Sequence, residues 1–439
     1  MRNHKKTTKK LSRREFLGGT VTAATVLGSC SVVPRHVLGG PRQTPPSEKL
    51  NIAGIGIGGQ GKGDMENCRR HNIVALCDVD WRKAAETFKQ FPDAKRYKDF
   101  RKMLDKQKEI DAVVIATPDH THAVAAMWAI KMGKHVYCEK PLTHSVYESR
   151  KLAEAAREAN VATQMGNGGQ AGDGVRDLSE WVWDGAIGPV REVHVWTNRP
   201  IWPQGIERPK QVHPVPDSLD WDLWLGPAPD RPYNRIYHPF RWRGWWDFGT
   251  GALGDMGCHA FHPIFKVLKL EHPTSVGASS TAVFEDTFPS GSVVNYQFPA
   301  RGDMPPLKLT WYDGGLKPRR PDELEGELGE GGTLYVGDNG KILDGSLIPA
   351  SRMQEYQPPP KTLPRSIGHF QEWFRACKGG EPAGANFDFA GMVTEVVLLG
   401  NVALRTGKKL DWNGTNMRIT NVTEANDHLR REYRQGWTL

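Results

Sequence analysis

From residue 50 onward, short apolar runs alternate with segments of helical period. The runs 50–55, 73–77, 112–116, 135–137 and 161–164 read as strands, and 60–70, 81–90, 100–106, 120–132 and 145–159 read as helices. Strands apolar along their whole length are covered on both faces, which predicts a doubly wound parallel sheet. Beyond residue 166 the pattern changes. A helix at 174–184 leads into a strand at 190–196, and a stretch rich in aromatic residues, Pro and Arg then runs to about 249. That stretch is too long for a plain connector and reads as a functional insertion. A helix begins near 254, strands follow at 275–284, 292–298, 307–311, 333–336 and 341–343, and helices at 367–378 and 389–406 complete the pattern. Strands in succession without helices between them predict an α+β domain with an open, mostly antiparallel sheet. The expected domains are 1–46, a leader and linker arm; 47–166, the parallel α/β sheet; and 167–439, the α+β domain.

A chain of 439 residues exceeds one core, in keeping with two domains. No apolar run reads as long enough to span a bilayer. The net charge of +8 suggests a polyanion partner until it is located. Residues 1–46 hold nine Lys and Arg against Glu15, whereas Ser47 onward carries 49 basic and 49 acidic residues. The neutral body argues against nucleic acid. The basic leader contains Ser12-Arg13-Arg14-Glu15-Phe16-Leu17 ahead of a mildly apolar stretch, and it resembles a twin-arginine export signal. That resemblance implies an exported, periplasmic protein. Leu27-Gly28-Ser29-Cys30 resembles a lipobox, leaving a lipid anchor at Cys30 and ordinary cleavage both open. The six cysteines form no CxxC pair and are expected as free thiols.

Gly56-Ile57-Gly58-Gly59-Gln60-Gly61 lies between the first strand and the first helix, and Asp78 follows at the end of the second strand. This is the dinucleotide-binding fingerprint of a Rossmann domain. The first glycine allows the turn, the second admits the pyrophosphate, and the third lets helix and strand approach. Asp78 is suited to the ribose hydroxyls and would repel a 2′-phosphate, favouring NAD over NADP. Arg82 nearby weakens that preference, so NADP stays open, and Asp78 could instead cap the helix at 81.

Downstream, Ala116-Thr117-Pro118-Asp119-His120-Thr121-His122, Cys138-Glu139-Lys140-Pro141 and Gly251-Ala252-Leu253-Gly254-Asp255-Met256-Gly257-Cys258-His259 resemble the Gfo/Idh/MocA oxidoreductases over roughly residues 48–410. The resemblance implies NAD as cofactor, and an export compartment without a free NAD pool favours one that is tightly held. It assigns Lys140 to the active site near the nicotinamide, Asp255 and His259 to the family's D-x-x-x-H, and His259 to proton acceptance. Thr117, Pro118, Asp119 and His122 match the turn under the cofactor, with Asp119 replacing the commoner Asn. Glu139 belongs to the same cofactor set, as do the loop residues Gly56, Gly58, Gly59, Gln60 and Gly61. The chemistry agrees: oxidising a secondary alcohol needs a base near neutrality and a cation for the developing alkoxide, which His and Lys can supply. Asp255 and His259, four apart, share a helix face, and Pro263 is expected to kink or restrict that helix. His120 with His122, or Asp255 with His259, lack a third ligand for a metal.

The aromatic insertion offers Trp202, Tyr237, His238, Arg241, Trp245 and Trp246 as a carbohydrate site, since aromatic faces stack on pyranose rings and Arg reads hydroxyls. Any one of these tryptophans could equally pack the insertion. Two reactions fit: dehydrogenation of a sugar or glycoside, for example at C3, or glycoside cleavage through transient oxidation, elimination and re-reduction. Tyr237 or His238 would supply the extra base for the second. A sugar-sensing binding protein is disfavoured because Lys140 and His259 are both present. The family resemblance and the Pro-rich arm at 34–46 point to a homo-oligomer.

Overall fold

The structure, a computed structural model, describes residues 48–439; the twin-arginine motif, Cys30 and the Pro-rich arm lie outside the described residues. Six strands make the first sheet: β1 (Asn51–Ile55), β2 (Asn72–Cys77), β3 (Lys95–Tyr97), β4 (Ala112–Ile115), β5 (His135–Cys138) and β6 (Thr163–Met165). They pair in parallel in the order 3-2-1-4-5-6. The chain reverses its direction of growth between β1 and β4, so a crevice opens at their carboxyl ends. Strand β4 is buried at all four residues, as its apolar run requires.

The intervening helices are α1 (Gln60–Asn67), α2 (Trp81–Gln90), α3 (Phe100–Lys106), α4 (Asp119–Lys131) and α5 (Val146–Glu158). Local chemistry fixes their starts. Asp80 and Asp99 cap α2 and α3, and Ser145 with Glu148 forms a capping box on α5.

After α6 (Asp173–Trp183) the chain enters a second sheet through β7 (Val190–Trp196). An insertion with the short helix α7 (Trp221–Leu225) follows, then α8 (Gly251–Leu268). Next come β8 (Ser275–Ser280), β9 (Ser292–Phe298), β10 (Leu307–Tyr312), β11 (Gly332–Gly337), β12 (Gly340–Leu343) and β13 (Ser346–Ile348). Helices α9 (Ala350–Glu355), α10 (His369–Cys377) and α11 (Phe387–Thr406) precede the last strands, β14 (Leu410–Asn413) and β15 (Arg418–Ile419). The nine strands run in the order 13-12-11-7-10-9-8-14-15, antiparallel except for the β7–β10 pair. One continuous apolar core joins the two sheets, reaching from Val113 and Ile115 to Val193 and Tyr296.

Two features differ from the sequence reading. Strands β3, β13, β14 and β15 are short and lie toward the sheet edges, where polar sequence masks the strand period. Pro263 sits inside α8, as expected of that helix. Helix α11 is, by length and hydropathy, apolar enough to cross a membrane, contrary to the reading of no such run. It is instead buried against α5, α8 and β8.

The insertion folds around its own apolar cluster of Leu219, Trp224, Leu225, Tyr233, Tyr237, Trp242, Trp245 and Phe248. It is tied to the first sheet's crevice by main-chain bonds from Asp220 to Val79 and from Trp81 to Ser218. His120, at the start of α4, lies between the carbonyls of Phe248 and Trp224.

Candidate active site

The crevice at the ends of β1, β2, β4 and β5 is a cleft of about 490 Å³. Its floor carries Gly56, Gly58, Gly59, Gln60, Asp78, Thr117, Pro118, Asp119, Glu139 and Lys140. Each glycine is there for a reason of space or torsion. Gly56 has φ +75°, and a Cβ on Gly61 would stand 2.0 Å from the Gly56 carbonyl oxygen. Gly59 begins α1 at φ 59° without any side-chain cap. The first amides of α1 are therefore left for an anion, which is the chemistry a pyrophosphate needs.

Asp78 does more than face a ribose. One of its oxygens accepts from the amides of Ile57 and Gly58 at 2.9 and 3.1 Å, and the other accepts from the Asp80 amide at 2.9 Å. It pins the glycine loop to β2, and burial pushes its carboxyl up to about 6. The helix cap considered for Asp78 belongs to Asp80. Asp80 also accepts from Ser218 and His238, and these bonds outweigh its burial and hold it at about 2. Arg82 is exposed and absent from the cleft lining, where Lys83 and Lys98 stand instead.

On the β5 side, Lys140 donates to the Asp255 side chain at 3.0 Å and to its main-chain oxygen at 2.9 Å. The same carboxylate oxygen of Asp255 accepts from Arg243 Nε at 3.0 Å. Burial works to raise the Asp255 carboxyl, but the two cations hold it below its ordinary value. Asp119 accepts from the Thr250 hydroxyl at 2.7 Å, and burial pushes it up to about 7. Burial raises both Glu139 and Asp64; the Asp64 charge adds to the rise at Glu139, and a bond from Gln60 opposes it at Asp64. His122 lies between the carbonyls of Pro141 and Thr117, joining the two motif turns beneath the cleft.

His259 does not line this cleft; it stands one turn beyond Asp255 on α8. Its Nδ1 lies 2.8 Å from Asn167 Oδ1, while Asn167 Nδ2 donates to the Cys258 carbonyl at 2.8 Å. A carbonyl can only accept, so it fixes the amide orientation, and the amide oxygen fixes the imidazole tautomer. Nδ1 carries the proton and Nε2 is left as a lone pair. The ring reaches solvent, yet the surrounding protein pushes it down to about 4, with Lys140 adding to the effect. The direction of the shift, below the ordinary imidazole value, favours the neutral ring, the form that can accept a proton.

The aromatic residues assigned to substrate divide differently from expectation. Tyr237 and Trp245 are buried in the insertion's own cluster, and Trp202 is turned inward onto Gln204. Trp246 is buried against Phe288, away from the cleft. Arg241 is exposed and also outside the lining. Of the six, only His238 lines the cleft, which is walled instead by Trp224, Phe240, Trp242, Arg243 and Trp437. Wrapping the insertion around a core of its own consumed the larger rings. Among the described residues, no three His, Cys, Asp or Glu side chains are grouped to hold a metal, and Cys68, Cys77, Cys138, Cys258 and Cys377 are free thiols.

Comparison with known proteins bears on this arrangement. Residues 49–167 match the family model for an oxidoreductase NAD-binding Rossmann fold, and residues 191–301 match that for the oxidoreductase C-terminal alpha/beta domain. Levoglucosan dehydrogenase of Pseudarthrobacter phenanthrenivorans is 33% identical over 107 residues, covering 24% of this chain and 27% of that protein. A glycosyl hydrolase family 109 protein of Shewanella pealeana is 29% identical over 179 residues, covering 36% and 39%. The matches thus span well under half of these relatives' lengths. The WlbA dehydrogenase from Bordetella pertussis, solved with NADH and UDP-GlcNAcA, superposes with a TM-score of 0.59 at 16% identity, covering 83% of this chain and 99% of that one. The two family models together span more than half of the sequence, and the chain belongs to the Gfo/Idh/MocA family of oxidoreductases, with an NAD-binding Rossmann domain.

Proposed function

We propose that the protein oxidises or reduces a secondary hydroxyl of a sugar or glycoside by hydride transfer, with NAD held at the first sheet. The observation that carries this is the pairing of a cation from the end of β5 with a base on α8, both met at one turn of that helix. Lys140 is anchored to Asp255, and His259 beside it presents an unprotonated Nε2. When bound, the nicotinamide takes up or returns the hydride. The protein's part is proton and charge. His259 Nε2 accepts the hydroxyl proton, and the Lys140 ammonium stabilises the oxygen as it becomes negative. Asp255 keeps Lys140 aimed at that point. In the reverse direction His259 returns the proton.

The glycine loop and the uncapped start of α1 support a firmly held dinucleotide, and Asp78 at the end of β2 supports NAD in preference to NADP. Relatives named for levoglucosan and for glycosyl hydrolysis support a carbohydrate substrate. The glycosyl hydrolase relative also favours a second reading, glycoside cleavage by oxidation, elimination and re-reduction. In that case His238, in the cleft and hydrogen-bonded to Asp80, is the candidate extra base; the buried Tyr237 is not. The leader motif supports export by the twin-arginine route to the periplasm, with lipidation of Cys30 or ordinary cleavage as its two endings, and the family supports a homo-oligomer. The test is to purify the protein and assay its nucleotide, then supply a panel of glycosides. Reduced cofactor without aglycone release marks a dehydrogenase. Aglycone release over many turnovers without net reduction marks a glycosidase, and neither product from any glycoside removes the proposal.

A further inference from the structure

We propose that Arg243 reads a carboxylate on the substrate, so that the sugar is a sugar acid of the hexuronate type. This rests on the sugar-oxidoreductase reading above and names the substrate class of that same site.

Arg243 reaches the catalytic carboxylate from the insertion. A Cβ on Gly249 would stand 2.4 Å from the Arg243 carbonyl oxygen, so the main chain passes close against the segment that begins α8. The guanidinium plane is then clamped, lying 4.3 Å over the Trp242 ring and 4.6 Å from that of Phe240. Its Nε donates to Asp255 and its Nη1 to the Phe240 carbonyl. A guanidinium has five N–H groups. The remaining three, including both on Nη2, have no partner among the described residues, and the side chain lines the cleft at 23% exposure. A planar fork with unpaired N–H groups, on a residue that lines the cleft, suits a carboxylate, which accepts two parallel bonds.

The surrounding charge points the same way. Lys140 and Arg243 share one oxygen of Asp255, leaving two cations to one anion. The neighbouring carboxyls of Asp119 and Glu139 are both raised by burial and contribute less negative charge at neutral pH, and the shift at His259 favours its neutral ring. Cofactor phosphates have donors of their own in the start of α1, Lys83 and Lys98. A neutral pyranose would leave the positive excess beside Lys140 unanswered, whereas a carboxylate balances it.

The experiment uses the full chain loaded with NADH. Dissociation constants are measured by calorimetry for D-glucuronate, D-galacturonate, D-glucose, D-galactose and D-glucose 6-phosphate, and initial rates with NAD are measured for the same set. The expected result is a preference for a uronate over its neutral counterpart of about 10- to 100-fold, the scale of one charge-assisted hydrogen bond or more. Arg243→Met abolishes that ratio, Arg243→Lys restores part of it, and neither changes the NADH dissociation constant. Equal use of neutral sugars, a preference for the phosphate, an equal loss on acids and neutral sugars in Arg243→Met, or loss of NADH affinity each overturns the proposal. Turnover of neutral sugars alone sinks only the role of Arg243. Absence of binding and turnover with every sugar sinks the underlying sugar reading as well.

Discussion

His259 Nδ1 and Asn167 Oδ1 stand 2.8 Å apart, and the second bond of Asn167, to the Cys258 carbonyl, allows only one direction of donation between them. Asn167 is thus a positioning residue: it decides which imidazole nitrogen is the base. With His259 held at about 4, kcat/KM should be level from about pH 5 to 8 as far as this group is concerned. Asn167→Asp keeps an acceptor for Nδ1–H but adds a negative charge, which favours the protonated ring and raises its titration. Activity in that variant should then be lost from the acid side at a higher pH than in the unaltered protein. An unchanged profile would show that Asn167 does not act through His259.

Removing Lys140 should separate chemistry from binding. Lys140→Met leaves Asp255 paired with Arg243 and the glycine loop untouched. The rate should fall by about 100- to 1000-fold, the usual cost of one donor to a developing oxyanion. NADH affinity, read from fluorescence titration, should stay within a few-fold. A proportional loss of both would make Lys140 a cofactor residue only.

Asp119 carries a pH signature in stability. Its carboxyl stands at about 7 in the folded protein, against about 3.9 in an unfolded chain. Between these values the folded state holds a proton that the unfolded state has released, so stability falls as pH rises from about 4 to 7. Asn cannot ionise and still accepts from the Thr250 hydroxyl. Asp119→Asn should therefore gain on the order of a few kcal/mol at pH 8 and little at pH 4. A melting-temperature difference that is the same at pH 5 and pH 8 would contradict the assigned burial.

What the sequence discloses about this site depends on how local each relationship is. The glycine loop, the Lys140 turn and the i, i+4 pair Asp255–His259 are set by neighbours within one strand–turn–helix unit or one helical turn, so spacing alone locates them. Asn167 meets His259 across 92 residues, and no spacing rule announces it. Arg243 belongs to the same kind, because its use depends on how the insertion folds back onto α8. Tyr237 and Trp245 are hard to place from sequence for a related reason. A segment of some fifty residues over a crevice must bury a core of its own, and Tyr237 and Trp245 fill it. Tyr237→Ala should accordingly cost about 3–5 kcal/mol of stability, as large-to-small core changes do. His238→Ala, on the cleft wall, should weaken substrate or cofactor affinity and also lower the melting temperature, because buried Asp80 loses a hydrogen-bond partner.

Two alanine substitutions in the glycine loop should fail differently, although both glycines belong to the same fingerprint. At Gly61 the new Cβ would lie 2.0 Å from the Gly56 oxygen and 3.1 Å from the Ala116 Cβ. Main chain cannot yield as a side chain can, so α1 must move away from β1 and β4, and the amides that face the cleft move with it. Gly61→Ala should lower the melting temperature and abolish NADH binding together. At Gly59 nothing lies within 4 Å of the added Cβ, but φ is 59° with ψ −122°, a conformation costly for any residue with a Cβ. Strain of roughly 1–3 kcal/mol is expected there, without displacement of the helix. Gly59→Ala should keep the fold, melt a few degrees lower, and bind NADH more weakly because it adds a methyl and strain at a residue that lines the cleft. Differential scanning fluorimetry beside NADH titration separates the two, and equal behaviour of both variants would mean that the close approach of α1 to β1 does not govern the cofactor site.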